Sequence, residues 1–302
     1  MTLVGVVGTG RMGSAMARAL RTAGLDVILQ NRTAERAAAL ARVLGCEVCT
    51  SPAEVAAKAD VVLTMLADDD AVLSTWRGRK GLIAGARPGT VLVDLSTVTP
   101  DTIRSLESDV RATGAGILDA PVSGSVSLAT SGELTLMVGG TAEDLDRARP
   151  ALEPLAKTIV HVGPLGTGAA MKLAVNTVIF GLNQALSEGL VLAEAAGIDR
   201  GVAYGVLADS AVGAPYVGYK RAAFLDPDGT PVAFALDLAE KDLRLIHDLA
   251  DRVGLELPQS RVNLDTILAA SDAVGGDSDF STVATHLRNE RQALTHEAAG
   301  GR

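Results

Sequence analysis

The run Gly168-Ala169-Ala170-Met171-Lys172-Leu173-Ala174-Val175-Asn176 sets a lysine and, four residues on, an asparagine into otherwise small and apolar surroundings. Residues four apart share one face of a helix, so 168, 172 and 176 line up and the two polar ends address the same spot. A lysine so placed can polarise a carbonyl and pass a proton to or from its oxygen. An ordinary lysine pKa of about 10.4 is high for that task, and partial burial beside a cation lowers it. Spacing alone equally allows a lysine whose stem packs while its head reaches water, and an asparagine with a local partner.

A second stretch suits phosphate. Gly8-Thr9-Gly10-Arg11-Met12-Gly13 follows the apolar run Leu3–Val7 and precedes a helical pattern through Ala23. Glycines at these spacings permit a tight turn, let backbone approach a pyrophosphate, and let helix pack on strand with the anion at the helix N-terminus. The chain therefore reads as a dinucleotide binder. After the next strand, where an acid would hold the ribose hydroxyls of NAD(H), stand Asn31, Arg32 and Thr33. An arginine fork grips a 2′-phosphate and neutral neighbours add hydrogen bonds, so NADP(H) is favoured over NAD(H).

Ser123, with the backbone of Gly124 and Ser125, makes a short donor-rich loop suited to a carboxylate, although Ser-Gly is also ordinary turn chemistry. Lys241 lies in a charged stretch that would equally serve as a solvated helix face. The four histidines show no metal-ligand or triad spacing, no Gly-x-Ser-x-Gly elbow occurs, and no metal is expected. Cys46 and Cys49 form a C-x-x-C that reads as two small strand-side residues rather than a redox pair.

The elements that must hold these groups follow from periodicity. Short β-branched runs at Leu3–Val7, Val27–Leu29, Val61–Met65, Val91–Leu95 and 116–118 alternate with helical stretches, as in a doubly wound parallel α/β sheet. Thr33, Ser51-Pro52 and Thr99-Pro100 mark helix starts. Leu134–Val138, closed by Gly139-Gly140, reads as part of an antiparallel pair at the sheet edge, followed by a helix over 143–155 and a strand over 158–162. Beyond Gly163-Pro164-Leu165-Gly166 the pattern turns helical, through about Ala196 and again over 201–208 and 233–253. The expected organisation is a Rossmann domain over 1–164, an all-helical substrate and dimerisation domain over 165–296 entered by one long helix, and a loose tail over 297–302.

The 302 residues are 48% hydrophobic, as in a compact soluble enzyme scaffold, and their formal net charge of −9 without a Lys/Arg cluster argues against nucleic acid and anionic membrane as partners. Lys172, Asn176, Asn183, Gln184, Glu188 and Glu194 interrupt the apolar region over 169–196, so it reads as a soluble helix. Leu3–Val7 is too short for a signal segment, and a cytoplasmic protein is expected. The apolar helical half predicts a homodimer or larger assembly.

Together the Gly8–Gly13 turn, Asp119-Ala120-Pro121-Val122-Ser123-Gly124, Gly168-x-x-x-Lys172-x-x-x-Asn176 and Lys241-Asp242-Leu243 resemble the β-hydroxyacid dehydrogenase family over nearly the whole chain. The resemblance implies Lys172 as catalytic acid/base, Asn176 with Ser123 and Gly124 on the substrate, Lys241 near the nicotinamide, and Leu66, Ala67, Ser96 and Thr97 as further cofactor contacts. Ser125 departs from the second glycine of many relatives, which leaves the shape of the substrate loop open. Asn31-Arg32-Thr33 is similar to the NADPH-using semialdehyde reductases and to the imine reductases, which generally lack the lysine. Val175 stands where the 6-phosphogluconate branch has histidine. The expected activity is hydride transfer between NADP(H) and a short β-hydroxyacid or semialdehyde. Imine reduction and non-catalytic NADP(H) sensing are the alternatives.

Overall fold

The computed structural model describes residues 2–300, with side chains described through residue 293. The first half runs β1 (Leu3–Val7), α1 (Arg11–Thr22), β2 (Asp26–Gln30), α2 (Ala34–Leu44), β3 (Glu47–Val48), α3 (Pro52–Lys58), β4 (Val61–Thr64), α4 (Asp69–Arg77) and α5 (Leu82–Gly85). It continues β5 (Val91–Asp94), α6 (Pro100–Arg111), β6 (Gly116–Asp119), β7 (Val122–Ser123), α7 (Val126–Ser131), β8 (Leu134–Gly140), α8 (Ala142–Leu152) and β9 (Ala156–Gly163). Six helices follow: α9 (Thr167–Ala195), α10 (Arg200–Asp209), α11 (Pro215–Leu225), α12 (Leu236–Val253), α13 (Pro258–Val274) and α14 (Val283–Gly300).

The nine strands form one sheet in the order β3-β2-β1-β4-β5-β6-β8-β7, with β9 paired to β8. β1 through β6 are parallel, while β8 runs antiparallel to β6 and β7. Alternate residues of the central strands feed two apolar clusters, one with Val4, Val6, Leu63 and Val93, the other with Val7, Val62 and Leu92. Both faces are thus buried, which is why these strands read as continuous β-branched runs. The expected fold class, a doubly wound sheet followed by helices, is the one observed.

The chain divides into two compact units, the first ending at Leu173 and the second starting at Ala174. That division falls inside α9, because its first turns are bonded to β6 through Asp119. The second unit has its own core of Leu186, Leu190, Tyr204, Val217 and Phe224. There the rings of Phe180, Phe234 and Phe280 also pack against one another at 5.3–6.4 Å.

Several expected boundaries move. β8 includes Gly139 and Gly140, because they pair with Asp119 and Leu118 of β6, an approach that leaves no room for a Cβ on either. α8 stops at Leu152 and passes into a 3-10 turn over Glu153–Leu155, where Pro154 has no N–H to extend an α-helical ladder. Residues 233 and 234 form a bend and Ala235 is extended rather than helical, since the N–H groups of Ala233 and Phe234 donate to the Asp279 carboxylate. Thr33 precedes α2 but makes no side-chain cap, whereas Ser51 and Thr99 do. The expected tail over 297–302 falls outside the residues whose side chains are described.

Candidate active site

The phosphate turn begins where β1 ends, beside β4, at the point where the strand order reverses. Its glycines have three different reasons. Gly8 has a φ of +97°, and a Cβ there would run into the Met65 carbonyl. A Cβ on Gly13 would run into the Gly8 carbonyl, so α1 packs tightly on the turn. Gly10 instead faces open space and precedes α1 with no side-chain cap. A buried Thr9 hydroxyl beside it has no partner among the described residues. Open space over uncapped helix N–H groups and an unused hydroxyl fit a pyrophosphate.

Asn31 is bound to that turn. Its Oδ1 accepts the Thr9 N–H at 3.0 Å and its Nδ2 donates to the Thr33 carbonyl at 3.0 Å, so the side chain shapes the loop. Arg32 and Thr33 are exposed after β2. Arg36, unremarked in the sequence, lies in the first turn of α2 and is also exposed. A cation at a helix N-terminus opposes the helix dipole, and a bound anion would relieve that. Arg11 is exposed and Met12 half-buried at the start of α1.

The ends of β4 and β5 and the loops after them are joined by hydrogen bonds, of which those to Asp94 are buried. The Thr64 hydroxyl donates to Asp94 Oδ1 at 2.6 Å, the Ser96 hydroxyl donates to the same oxygen at 2.9 Å, and the Leu66 N–H donates to Ser96 Oγ at 2.9 Å. Ser96 is 1% exposed, so its hydroxyl holds the loop. Ala67 and Thr97 lie on the outer parts of the same two loops. Burial pushes Asp94 up to about 6, against the hydrogen bonds from Thr64 and Ser96, with Asp119 adding a like charge. No sequence signal marked Asp94, which reads as the polar end of an apolar strand.

Ser123 ends β7 opposite Thr135 of β8, and Gly124 follows at φ +141°. The Ser125 side chain caps α7 by accepting the Leu128 N–H, and its oxygen lies 2.7 Å from the Ser127 hydroxyl. The departure at 125 therefore starts a helix.

On α9, Lys172 is half-buried and Asn176 is 5% exposed. The Asn176 Nδ2 donates to Asp242 Oδ2 at 2.8 Å, and Asp242 Oδ1 meets the Lys241 ammonium at 2.9 Å. Two separately noted segments of the sequence thus meet through Asp242, which is 3% exposed. Its burial was hidden because Glu240-Lys241-Asp242 reads as surface charge.

Glu47, Cys49 and Glu54 bring ligand atoms within 4.8 Å of one another. The Lys58 ammonium already bonds both glutamates, at 2.5 and 2.9 Å, and burial with Glu54 pushes the Cys49 thiol up to about 11. Cys46 packs against one sheet face and Cys49 belongs to the other, and both are free.

Strand order, phosphate turn and loop positions define a Rossmann-type dinucleotide-binding domain. Residues 3–163 match the family model of the NAD binding domain of 6-phosphogluconate dehydrogenase, and residues 166–287 match that of the NAD-binding of NADP-dependent 3-hydroxyisobutyrate dehydrogenase. The chain belongs to the β-hydroxyacid dehydrogenase family. It is 34% identical over 285 residues to the chloroplastic glyoxylate/succinic semialdehyde reductase 2 of Arabidopsis thaliana, covering 94% of this chain and 79% of the relative. The structure of Mycobacterium tuberculosis 3-hydroxyisobutyrate dehydrogenase with L-serine superposes with a TM-score of 0.82 at 34% identity, over 95% of this chain and 99% of that one. A structure in complex with NADP+ and 2-OPP superposes with a TM-score of 0.86 at 27% identity, over 94% and 99%. No helix among the described residues is long and apolar enough to cross a membrane.

Proposed function

We propose that this protein is an NADP(H)-dependent dehydrogenase or reductase acting on a short β-hydroxyacid or semialdehyde, with Lys172 as the acid/base. The observation that carries the reading is the pair on α9: a half-buried Lys172 one turn from an Asn176 held by Asp242. In reduction the cofactor, when bound, supplies the hydride. Lys172 supplies the proton at the carbonyl oxygen, and its ammonium polarises that carbonyl beforehand. Asn176 orients the substrate, Ser123 and the Gly124–Ser125 backbone take its carboxylate, and Lys241 attends the nicotinamide while neutralising Asp242.

NADP(H) is preferred because Arg32 and Arg36 put two exposed guanidinium groups after β2 where an acid would otherwise stand. Arg11, Met12, Leu66, Ala67 and Thr97 contact the cofactor on this reading, and Ser96 serves through the loop it fixes. The dinucleotide domain covers 1–164 and the substrate domain begins at 165. The second unit assembles with further copies of the chain, since α9 exposes Ala174, Val178, Ala185 and Leu192 along one face, with Glu188 as the exposed charge beside them.

The test is NADPH oxidation followed at the nicotinamide absorbance with glyoxylate, succinic semialdehyde, methylmalonate semialdehyde and tartronate semialdehyde. NADH, Lys172→Ala and Arg32→Ala run in parallel. Lys172→Ala is expected to lower kcat by roughly 10²- to 10⁴-fold with cofactor binding intact. Arg32→Ala is expected to raise KM for NADPH by about tenfold and leave KM for NADH alone. Full activity in Lys172→Ala would sink the assignment. Turnover of cyclic imines without semialdehyde activity would replace it with imine reduction, and tight NADPH binding without turnover with a sensor.

A further inference from the structure

Asp119 ends β6 and is 1% exposed. Its Oδ1 accepts the Gly166 N–H at 2.8 Å and its Oδ2 accepts the Ala169 N–H at 2.6 Å, so a carboxylate from the sheet caps the start of α9. The surroundings are cleared for it. A Cβ on Gly139, its register partner on β8, would run into Oδ1, and a Cβ on Gly168 would lie 2.7 Å from the Asp119 carbonyl and 2.9 Å from Oδ2. Gly166 adopts φ +87°, a conformation that side chains rarely take. Burial raises the Asp119 pKa while the N–H groups of Ala169 and Gly166 and the nearby Arg104 oppose it.

Four residues after Asp119 the chain reaches Ser123, and three residues after Ala169 it reaches Lys172, about 4.5 Å further along the helix axis. We propose that Asp119 is a positioning residue that ties the Ser123–Gly124 segment and the Lys172 turn of α9 to one point of the sheet. This rests on the function proposed above. A carboxylate at the helix N-terminus also offsets the positive end of the dipole that would otherwise disfavour an ammonium on the next turn. An ordinary cap would affect folding alone, whereas a positioning residue sets the rate of the folded enzyme.

Asp119→Asn keeps the shape but leaves one acceptor oxygen for two N–H groups. It is expected to lower kcat roughly ten- to hundredfold with KM for NADPH unchanged, since misplacement of a catalytic group by an ångström costs rates of that order. Acylation of Lys172 by an amine reagent, read by peptide mass spectrometry, should quicken several-fold relative to exposed Lys157 in the same sample. Gly168→Ala, which displaces the helix start and leaves the Asp119 charge unaltered, should reproduce the loss in kcat. Unchanged kcat and unchanged Lys172 labelling overturn the inference, as does a parallel rise at Lys157 that marks general loosening. Wild-type protein inactive on every carbonyl substrate, with Lys172 labelling still responding to Asp119→Asn, counts against the reductase reading and leaves the anchor standing.

Discussion

Asp94 shows what one buried carboxylate does to its surroundings. An unfolded aspartate titrates near 3.9, and burial takes Asp94 to about 6 in the fold. Across that window the folded chain keeps a proton that the unfolded chain has released. The group therefore favours folding at the acid end, and its contribution is lost as pH rises from about 4 to about 6. A shift of this size is worth on the order of 3 kcal/mol. Asp94→Asn cannot titrate, so the unfolding free energies of variant and wild type should move by about 2–3 kcal/mol in the variant's favour between pH 4 and pH 7. Urea denaturation at both pH values measures this, and an identical difference at the two would mean that Asp94 titrates as an exposed acid. Lys172, Asn176, Arg32 and the glycine turn were visible in the sequence because each breaks a local pattern. Asp94 was not, and although Asp119 and Asp242 stand in segments that carry the family resemblance, their burial was hidden, because an aspartate at a strand end or beside a lysine looks the same whether buried or solvated.

At the scale of elements, a buried ion pair orders the segment leading into α12. The Lys220 ammonium on α11 bonds both oxygens of Asp279, at 2.7 and 2.9 Å, and that carboxylate also accepts N–H groups from Ala233, Phe234 and Ser281. Burial pushes the Lys220 pKa down while Asp279 holds it up. Lys220→Met strands a buried carboxylate, which costs about 3–5 kcal/mol. A urea midpoint unchanged from wild type would show that the pair is solvated instead. The charge of Lys220 stands beside Arg221 in a short stretch that contains Gly218, a poor helix former, so neither α11 nor its partner near Phe280 was legible. The parallel strands were legible, because residues buried on both faces leave unbroken β-branched runs.

At the scale of the molecule, the exposed apolar stripe on α9 bears on assembly. Val178 and Leu192 are 69% and 72% exposed and lie on one face of α9. Sedimentation equilibrium should give at least twice the 30.9 kDa chain mass, and a Val178→Glu, Leu192→Glu variant should sediment as monomer. A monomeric wild-type chain would end that proposal.

Local sequence determined the βαβ rhythm, the phosphate turn, the long helix and the spacing of Lys172 and Asn176, since each depends on neighbours within a few residues. Tertiary structure alone decided which acids are buried and whom they hold: Asp119 at the start of α9, Asp94 under the β4 and β5 loops, Asp242 against Asn176. Those pairings join residues 30 to 66 apart, and burial, which no local pattern encodes for a charged side chain, is what gives them their strength.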